Sequence, residues 1–319
     1  MNPDRRDFLV LGMGALAVAT LPRALRRKAQ LVRRQIPVMG TVAEIAVRHQ
    51  NESWAQRAMD AAFAELRRVD ETMSRFRDDS DVGRLNRASP GAAVAVSAHT
   101  AQVLRRSLRW AEVSEGRFDP CLGRVVELWD VGRRTAPPPG GEVQRLAAAG
   151  LHRTLEVERR VARLHSRQAA VDLGGIGKGF GVDLAGQALK DHGVFHALVN
   201  VGGDLVALGV GADGEPWRIG IRSPDHPDQI AGTLTVSDRA VATSGDYLQY
   251  FRYSGRRYHH LLDPTSGEPR RTAMRSLTVE ADRCVDADAA ATALFGADDG
   301  TIRRVLEEMT SGARIAHSA

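Results

Sequence analysis

Val171-Asp-Leu-Gly-Gly-Ile-Gly-Lys-Gly-Phe-Gly-Val-Asp183 is the stretch around which the rest of the chain is organised. Gly174, Gly175, Gly177, Gly179 and Gly181 follow a short apolar run and lead into a helical pattern. Glycines at this density let a backbone approach a ligand closely and reach positive φ without a Cβ penalty. Beyond them Phe180, Leu184, Ala188 and Leu189 recur at helical spacing up to about His192. A strand, a glycine turn and a helix start form an anion-facing site, because the first helical N–H groups have no partner within the helix. On the motif alone, a ligand site and a tight structural turn are equally good readings.

Two nucleotide-binding patterns fail at this loop. A Walker A loop needs glycine where Asp172 stands and Ser or Thr after the lysine, where Gly179 stands. The dinucleotide pattern Gly-x-Gly-x-x-Gly fails because Phe180 takes its last position. That pattern does occur at Gly209-Val-Gly-Ala-Asp-Gly214, but it precedes the strand-like Glu215-Pro-Trp-Arg-Ile-Gly-Ile221 and reads as a hairpin turn.

The 319 residues suffice for a sizeable core, and the apolar and charged fractions, 43% and 26%, are those of a globular protein. The net charge of +5 is concentrated at the start. Residues 1–34 hold eight Arg or Lys, and the remainder carries 36 basic against 37 acidic side chains, which removes the electrostatic case for nucleic acid. Lys178 is one of only three lysines, the others being Lys28 and Lys190. Arg5-Arg6 followed by the apolar run Phe8–Leu21 resembles a twin-arginine export signal, too short for an ordinary membrane-spanning helix. Pro22-Arg-Ala24 is a poor cleavage site, so an uncleaved anchor is the alternative fate and the one expected route to a membrane. No cysteine follows to accept a lipid. The expected layout is a signal and linker over 1–34 and one domain over 35–319, placed in the periplasm or on the outer face of the cytoplasmic membrane. Cys121 and Cys284 are read as small buried residues rather than a disulfide.

Met39–Val47 reads as a strand. Ser53 with Gln56 reads as a capping box opening a helix to Met73, followed by a polar loop over 74–88. A second helix spans about 98–115 behind Ser97, and a short helix and a hairpin occupy 142–168. Short alternating runs from Trp217 to Leu262, a strand at 276–280, and helices near 286–296 and 299–309 complete the pattern. The fold class is α+β, with helices packed on largely antiparallel sheets.

Three constellations carry chemistry. Asp288 and Thr292 are four apart on a helix, so two hard oxygens share one face and suit Mg²⁺ better than Zn²⁺; taken alone, an Asp cap with a back-bonded Thr is the better reading of them. Tyr258-His-His-Leu-Leu-Asp-Pro264 puts His259 and His260 on opposite faces of a strand, so one at most faces a given site. Ala242-Thr-Ser-Gly-Asp-Tyr247 suits a hairpin or a close ligand approach.

Taken in order, Met39-Gly-Thr41, Ser74-Arg-Phe-Arg-Asp-Asp-Ser-Asp-Val-Gly-Arg-Leu-Asn86, Phe118-Asp-Pro120, Val171–Asp183, Asn200-Val-Gly-Gly-Asp204, Thr243-Ser-Gly-Asp-Tyr247, His260-Leu-Leu-Asp-Pro264 and Ala287-Asp-Ala-Ala-Ala-Thr292 resemble the ApbE family over about residues 35–310. The family transfers FMN from FAD to a threonine or serine hydroxyl of a partner protein and releases AMP. The resemblance implies FAD contacts at Met39, Phe76, Trp129, Asp172, Lys178 and Leu262. It implies Mg²⁺ held by Asp288, Thr292 and the carbonyls of Gly175 and Ala291. His260 is the candidate base for the acceptor hydroxyl, and Asp263 would support it or the metal's surroundings. The acceptor would belong to a membrane-bound or periplasmic redox system. Phe76 stands where many members carry a polar or tyrosine side chain, which keeps FAD hydrolysis to FMN and AMP as the alternative. A non-catalytic flavin-binding assembly protein is the alternative from another class.

Overall fold

The computed structural model describes residues 8–9, 16–19, 30–226, 228–309 and 312–319. The twin-arginine pair lies outside them. In chain order the strands begin with β1 (Phe8–Leu9), β2 (Leu16–Ala19), β3 (Gln30–Val38) and β4 (Thr41–His49). Helices α1 (Glu52–Met73) and α2 (Asp81–Arg87), strand β5 (Val94–Ala95), and helices α3 (Ala98–Val113), α4 (Gly123–Trp129) and α5 (Gly140–Leu146) follow. Next are the hairpin β6 (Leu155–Glu158) and β7 (Val161–Leu164), helix α6 (Gly177–Asp191), and strands β8 (Ala197–Val201) and β9 (Asp204–Leu208). Strands β10 (Trp217–Arg222), β11 (Ile230–Val236), β12 (Arg239–Gly245), β13 (Tyr250–Tyr253), β14 (Arg256–His259) and β15 (Ser276–Ala281) lead to α7 (Cys284–Leu294), α8 (Asp299–Met309) and β16 (Arg314–Ser318).

Seven strands form the central sheet in the order β16-β15-β12-β9-β8-β4-β3, antiparallel throughout. One face is covered by α1 and α6, whose Ala58, Phe63, Leu66, Val182 and Leu189 pack on Ile45, Val47, Val199 and Val201. The other face meets the sheet containing β10 and β11, where Trp217, Ile219 and Ile221 close on Ala46, Leu198, Leu205 and Ala207. With both faces covered, β8 and β9 are buried at every position, which is why they read as continuous apolar runs. A third core joins α3, α4 and α7 around Trp110, Trp129 and Phe295. The α+β expectation holds.

Several boundaries differ from the sequence reading. Asn51, not Ser53, caps α1, accepting the Trp54 N–H at 3.0 Å. The polar 74–88 stretch contains α2, because Ser80 accepts the Gly83 N–H at 2.8 Å and starts a helix there. Strand β3 begins at Gln30, so the sheet takes in residues 30–34 that had been assigned to the linker, and Leu16–Ala19 of the apolar run pairs with β10. Strand β16 had no sequence expectation. Cys121 and Cys284 are both free and buried. Among the described residues no helix is long and apolar enough to cross a membrane.

Candidate functional site

The glycine stretch is the start of α6, and it lies against the start of α7. Each helix caps the other. Asp183 of α6 accepts the Cys284 and Val285 N–H groups at 2.7 and 3.1 Å, while Asp288 of α7 accepts the Gly179 N–H at 2.9 Å. Both carboxylates thereby serve orphan donors of a first helical turn and sit in the favourable end of its dipole. Such an approach demands glycine: a Cβ on Gly179 would collide with the Cys284 carbonyl and come within 2.8 Å of the Asp288 Cβ. A Cβ on Gly175 would stand 2.9 Å from the Thr292 Oγ1, so the Gly175 backbone lies directly on that hydroxyl. Gly175, Asp288 and Thr292, more than a hundred positions apart in sequence, are therefore neighbours.

Lys178 points into the same corner. Its ammonium pairs with the buried Asp204 at the start of β9 and stands 3.7 Å from the Asp288 Oδ1. Burial works against its charge, but the Asp204 and Asp288 carboxylates outweigh that and raise its pKa, so it is an ammonium. Burial, reinforced by Asp204, pushes the Asp288 carboxyl upward. Two buried carboxylates around one ammonium leave a local excess of negative charge, the electrostatic condition under which a buried divalent cation is welcome. Asp288 and Thr292 offer one carboxylate and one hydroxyl, hard oxygens whose chemistry would fit Mg²⁺. Among the described residues no three His, Cys, Asp or Glu side chains gather into a metal cluster, so any metal here rests on Asp288 and neutral oxygens.

The other end of α7 is held as firmly. Arg270 donates to the carbonyls of Thr292, Ala293 and Phe295 at 2.8, 3.1 and 2.8 Å, and Arg117 donates to those of Ala293 and Phe295 at 3.1 and 3.2 Å. Two guanidinium groups on the negative end of the helix fix the rotation that presents Asp288 and Thr292. Burial and the neighbouring Arg117 push Arg270 down to about 9. Asp286 faces away from the loop, bound by Arg106 at 2.6 Å and the Trp110 N–H at 3.2 Å.

The two histidines separate where β14 ends. His259 is buried, donating from Nε2 to the Arg270 carbonyl at 3.0 Å and accepting the Leu261 N–H at 3.3 Å. His260 donates from Nδ1 to the Gln249 carbonyl at 3.3 Å, which leaves the Nε2 lone pair as its acceptor. Its pKa is pushed down to about 4 chiefly by burial, with the His259 and Lys178 charges adding to the effect against the Gln249 carbonyl. At pH 7 it is therefore a neutral imidazole.

Arg75, quoted within a motif but given no role from the sequence, joins two of the expected FAD positions. Its Nε pairs with the Asp172 Oδ2 at 2.9 Å, and its guanidinium lies 4.1 Å from the centre of the Phe76 ring. Phe76 is 80% exposed, a platform with one face held by Arg75. The other Asp172 oxygen accepts the Gly174 N–H at 2.7 Å, so the ring is tied to the glycine loop itself. Met39, at φ 53° in the β3–β4 turn, packs its sulfur at 3.3 Å from where a Cβ on Gly181 would stand.

Three expected residues already have partners within the chain. Trp129 is 1% exposed, its indole N–H donating to the Gly267 carbonyl at 2.6 Å and its ring stacked on Phe251 and Tyr258, so its side chain belongs to the core. Leu262 is buried in a bridge to Pro269. The Asp263 carboxylate accepts the Thr265 and Ser266 N–H groups at 2.7 and 3.3 Å, closing its own turn rather than bonding to His260. Ala291 lies on α7 between Asp288 and Thr292. Asp183 and Asp204 appeared in the quoted motifs without a role; their short polar side chains beside glycine turns were the available signal.

Residues 39–315 match the model of the ApbE family. The chain belongs to the ApbE family. A protein of Vibrio cholerae named FAD:protein FMN transferase is 33% identical over 299 residues, 91% of this chain and 87% of that one. Its namesake from Treponema pallidum is 35% identical over 276 residues, 81% of this chain and 76% of that one. The crystal structure of the ApbE protein from Thermotoga maritima superposes with a TM-score of 0.79 at 29% identity, covering 90% of this chain and 94% of that one. The flavin transferase ApbE from Vibrio cholerae gives the same score at 31% identity, covering 90% and 93%. The ApbE likeness thus spans the sheet, α6 and α7 together.

Proposed function

We propose that this chain is an Mg²⁺-dependent FAD:protein FMN transferase that esterifies a threonine or serine hydroxyl of a partner protein. The observation that carries the reading is the meeting of Gly175, Lys178, Asp288 and Thr292 at the crossed starts of α6 and α7, and the neutral His260 supports it as the available base. Asp288, Thr292 and the carbonyls of Gly175 and Ala291 would hold the metal. When bound, it supplies positive charge to the pyrophosphate and to the oxygen that leaves.

Within the chain, Lys178 presents a fixed ammonium to phosphate oxygens. The Arg75-backed Phe76 ring offers a flat face for the flavin or adenine, and Asp172 holds Arg75 to the loop. His260 accepts the hydroxyl proton at Nε2 as the hydroxyl oxygen bonds to the phosphorus of the FMN half. The bridging P–O bond breaks and AMP departs with the bridging oxygen, so that FAD and the hydroxyl become a flavin phosphoester, AMP and one proton on His260.

The decisive assay incubates the chain with FAD, Mg²⁺ and a candidate acceptor and resolves the products by denaturing electrophoresis under ultraviolet light. A fluorescent acceptor band with equimolar AMP is expected. FMN and AMP with a dark acceptor would make the chain a pyrophosphatase, and unchanged FAD would make it a binding protein. The opening Arg5-Arg6 and its apolar run support export by a twin-arginine route to the periplasm or the outer face of the cytoplasmic membrane, where a redox acceptor would be met. A reporter fused to residues 1–34 that stays inside cells possessing that route would overturn the export reading.

A further inference from the structure

The hairpin of β13 and β14 has no part in the scheme above. It closes on Ser254 and Gly255, both at positive φ (47° and 77°), a two-residue turn that keeps the strands tightly twisted together. Phe251 and Tyr258 stack at 5.2 Å and rest on Trp129, anchoring one face of the arm in the core. Among the described residues the two strands pair only with each other, so both outer edges lack a ladder partner. From Tyr247 to Leu262 there is no Asp or Glu, in a chain that is otherwise balanced beyond residue 34.

Of the arm's arginines, Arg257 is paired with Asp246 at 2.9 Å. Arg256 lies over the Tyr258 ring at 4.6 Å and meets no carboxylate among the described residues, and the exposed Arg252 meets none either. Tyr250 and Tyr253 are 40% and 45% exposed beside them. The second strand runs directly into His260.

We propose that the β13–β14 arm is the docking surface for the acceptor protein and takes an extended acidic segment of it, delivering the adjoining hydroxyl to His260. This rests on the reading of His260 as the base. A free strand edge supplies main-chain hydrogen bonds to an extended segment. Arg252 and Arg256 select carboxylates and repel basic segments, and such exposed charges act mainly through association rate and salt dependence. The tyrosines add contact area at small entropic cost.

The test uses the full chain and three labelled synthetic peptides with the same central threonine, flanked by aspartates, by serines or by lysines. Fluorescence anisotropy at low salt should show the acidic peptide binding at least about tenfold tighter than the neutral one, with the preference lost at high salt. Arg252→Gln with Arg256→Gln should bring the acidic peptide down to the neutral level, and Arg252→Glu with Arg256→Glu below it, while FAD binding by flavin fluorescence stays unchanged. Equal binding of the three peptides, or wild-type binding by the double variants, overturns the proposal. FMN transfer to the same peptides is read separately. Selective binding without transfer would count against the transferase reading alone, and indiscriminate transfer by wild-type and variant chains would count against the docking surface alone.

Discussion

His259 and His260 are adjacent in sequence, yet one is locked into the core by two backbone hydrogen bonds while the other bonds only the Gln249 carbonyl through Nδ1 and keeps Nε2 as an acceptor. Because the His260 pKa is pushed down to about 4, the neutral form able to take a proton is complete at pH 7 and is lost as the pH falls through 4. The acid limb of the transfer rate should therefore lie near pH 4 rather than near the usual histidine value, as a pH–rate profile at saturating acceptor will report. His260→Ala should lower the turnover by about 10² or more with FAD affinity retained. A variant with full turnover would remove the base assignment. Arg75 is a positioning residue. Replacing it by Met should cost roughly 1 kcal/mol of preorganisation at the exposed Phe76 ring, about fivefold in FAD Kd. Flavin fluorescence titration checks this, and restoration by Arg75→Lys would separate charge from packing.

At the scale of elements, the site is a crossing of two helix starts. Asp183 reaches from α6 to the first N–H groups of α7, and Asp288 returns the contact. Burial raises Asp183 to about 6 in spite of those two donors. Gly179→Ala should force the helices apart at the Cys284 carbonyl, destabilising the fold by about 1–3 kcal/mol and separating Asp288 and Thr292 from Gly175. Denaturant melts with and without Mg²⁺ would show both effects: a lower midpoint, and loss of the stabilisation that the ion gives the parent chain. An unchanged midpoint would mean that the crossing tolerates a methyl group. The sequence disclosed the helices at this scale but not their ends. Ser53 has the capping spacing, yet Asn51 stands two residues earlier, and its carboxamide oxygen accepts the Trp54 N–H and takes the role. The polar run after Met73 looks like a loop because α2 is short and buries only Val82 and Leu85 among its apolar side chains.

At the scale of the molecule, the groups proposed to hold the metal lie on α7 and just before α6, helices whose positions are already fixed by three cores and by the arginines on the end of α7. Chelating the ion should therefore stop transfer without unfolding the chain. Adding Mg²⁺ at a hundred times its Kd should return about 2.7 kcal/mol of stability. Circular dichroism before and after chelation, with a melt of each sample, measures the two. Collapse of the spectrum on chelation would make the ion structural instead.

What the sequence determined by itself were the local properties. Periodicity revealed the helices and the antiparallel strands, glycine spacing marked a close backbone approach, and the i, i+4 relation put Asp288 and Thr292 on one face. The ordered motifs pointed to the family. Tertiary structure alone decided which of these groups meet. Asp183 and Asp204 acquire roles only through partners far along the chain, and Arg75 only because the loop after α1 folds onto the glycine stretch. Trp129 illustrates the converse, since its neighbours Phe251 and Tyr258, brought from a distant hairpin, place its ring in the core. Spacing along a helix or strand fixes direction over a few residues, whereas contact between elements depends on how the sheet and its cores close. The glycine loop could have been an ordinary turn. The arrival of Asp288 and Thr292 against Gly175 and Gly179, where any side chain would collide, is what makes it half of the proposed site.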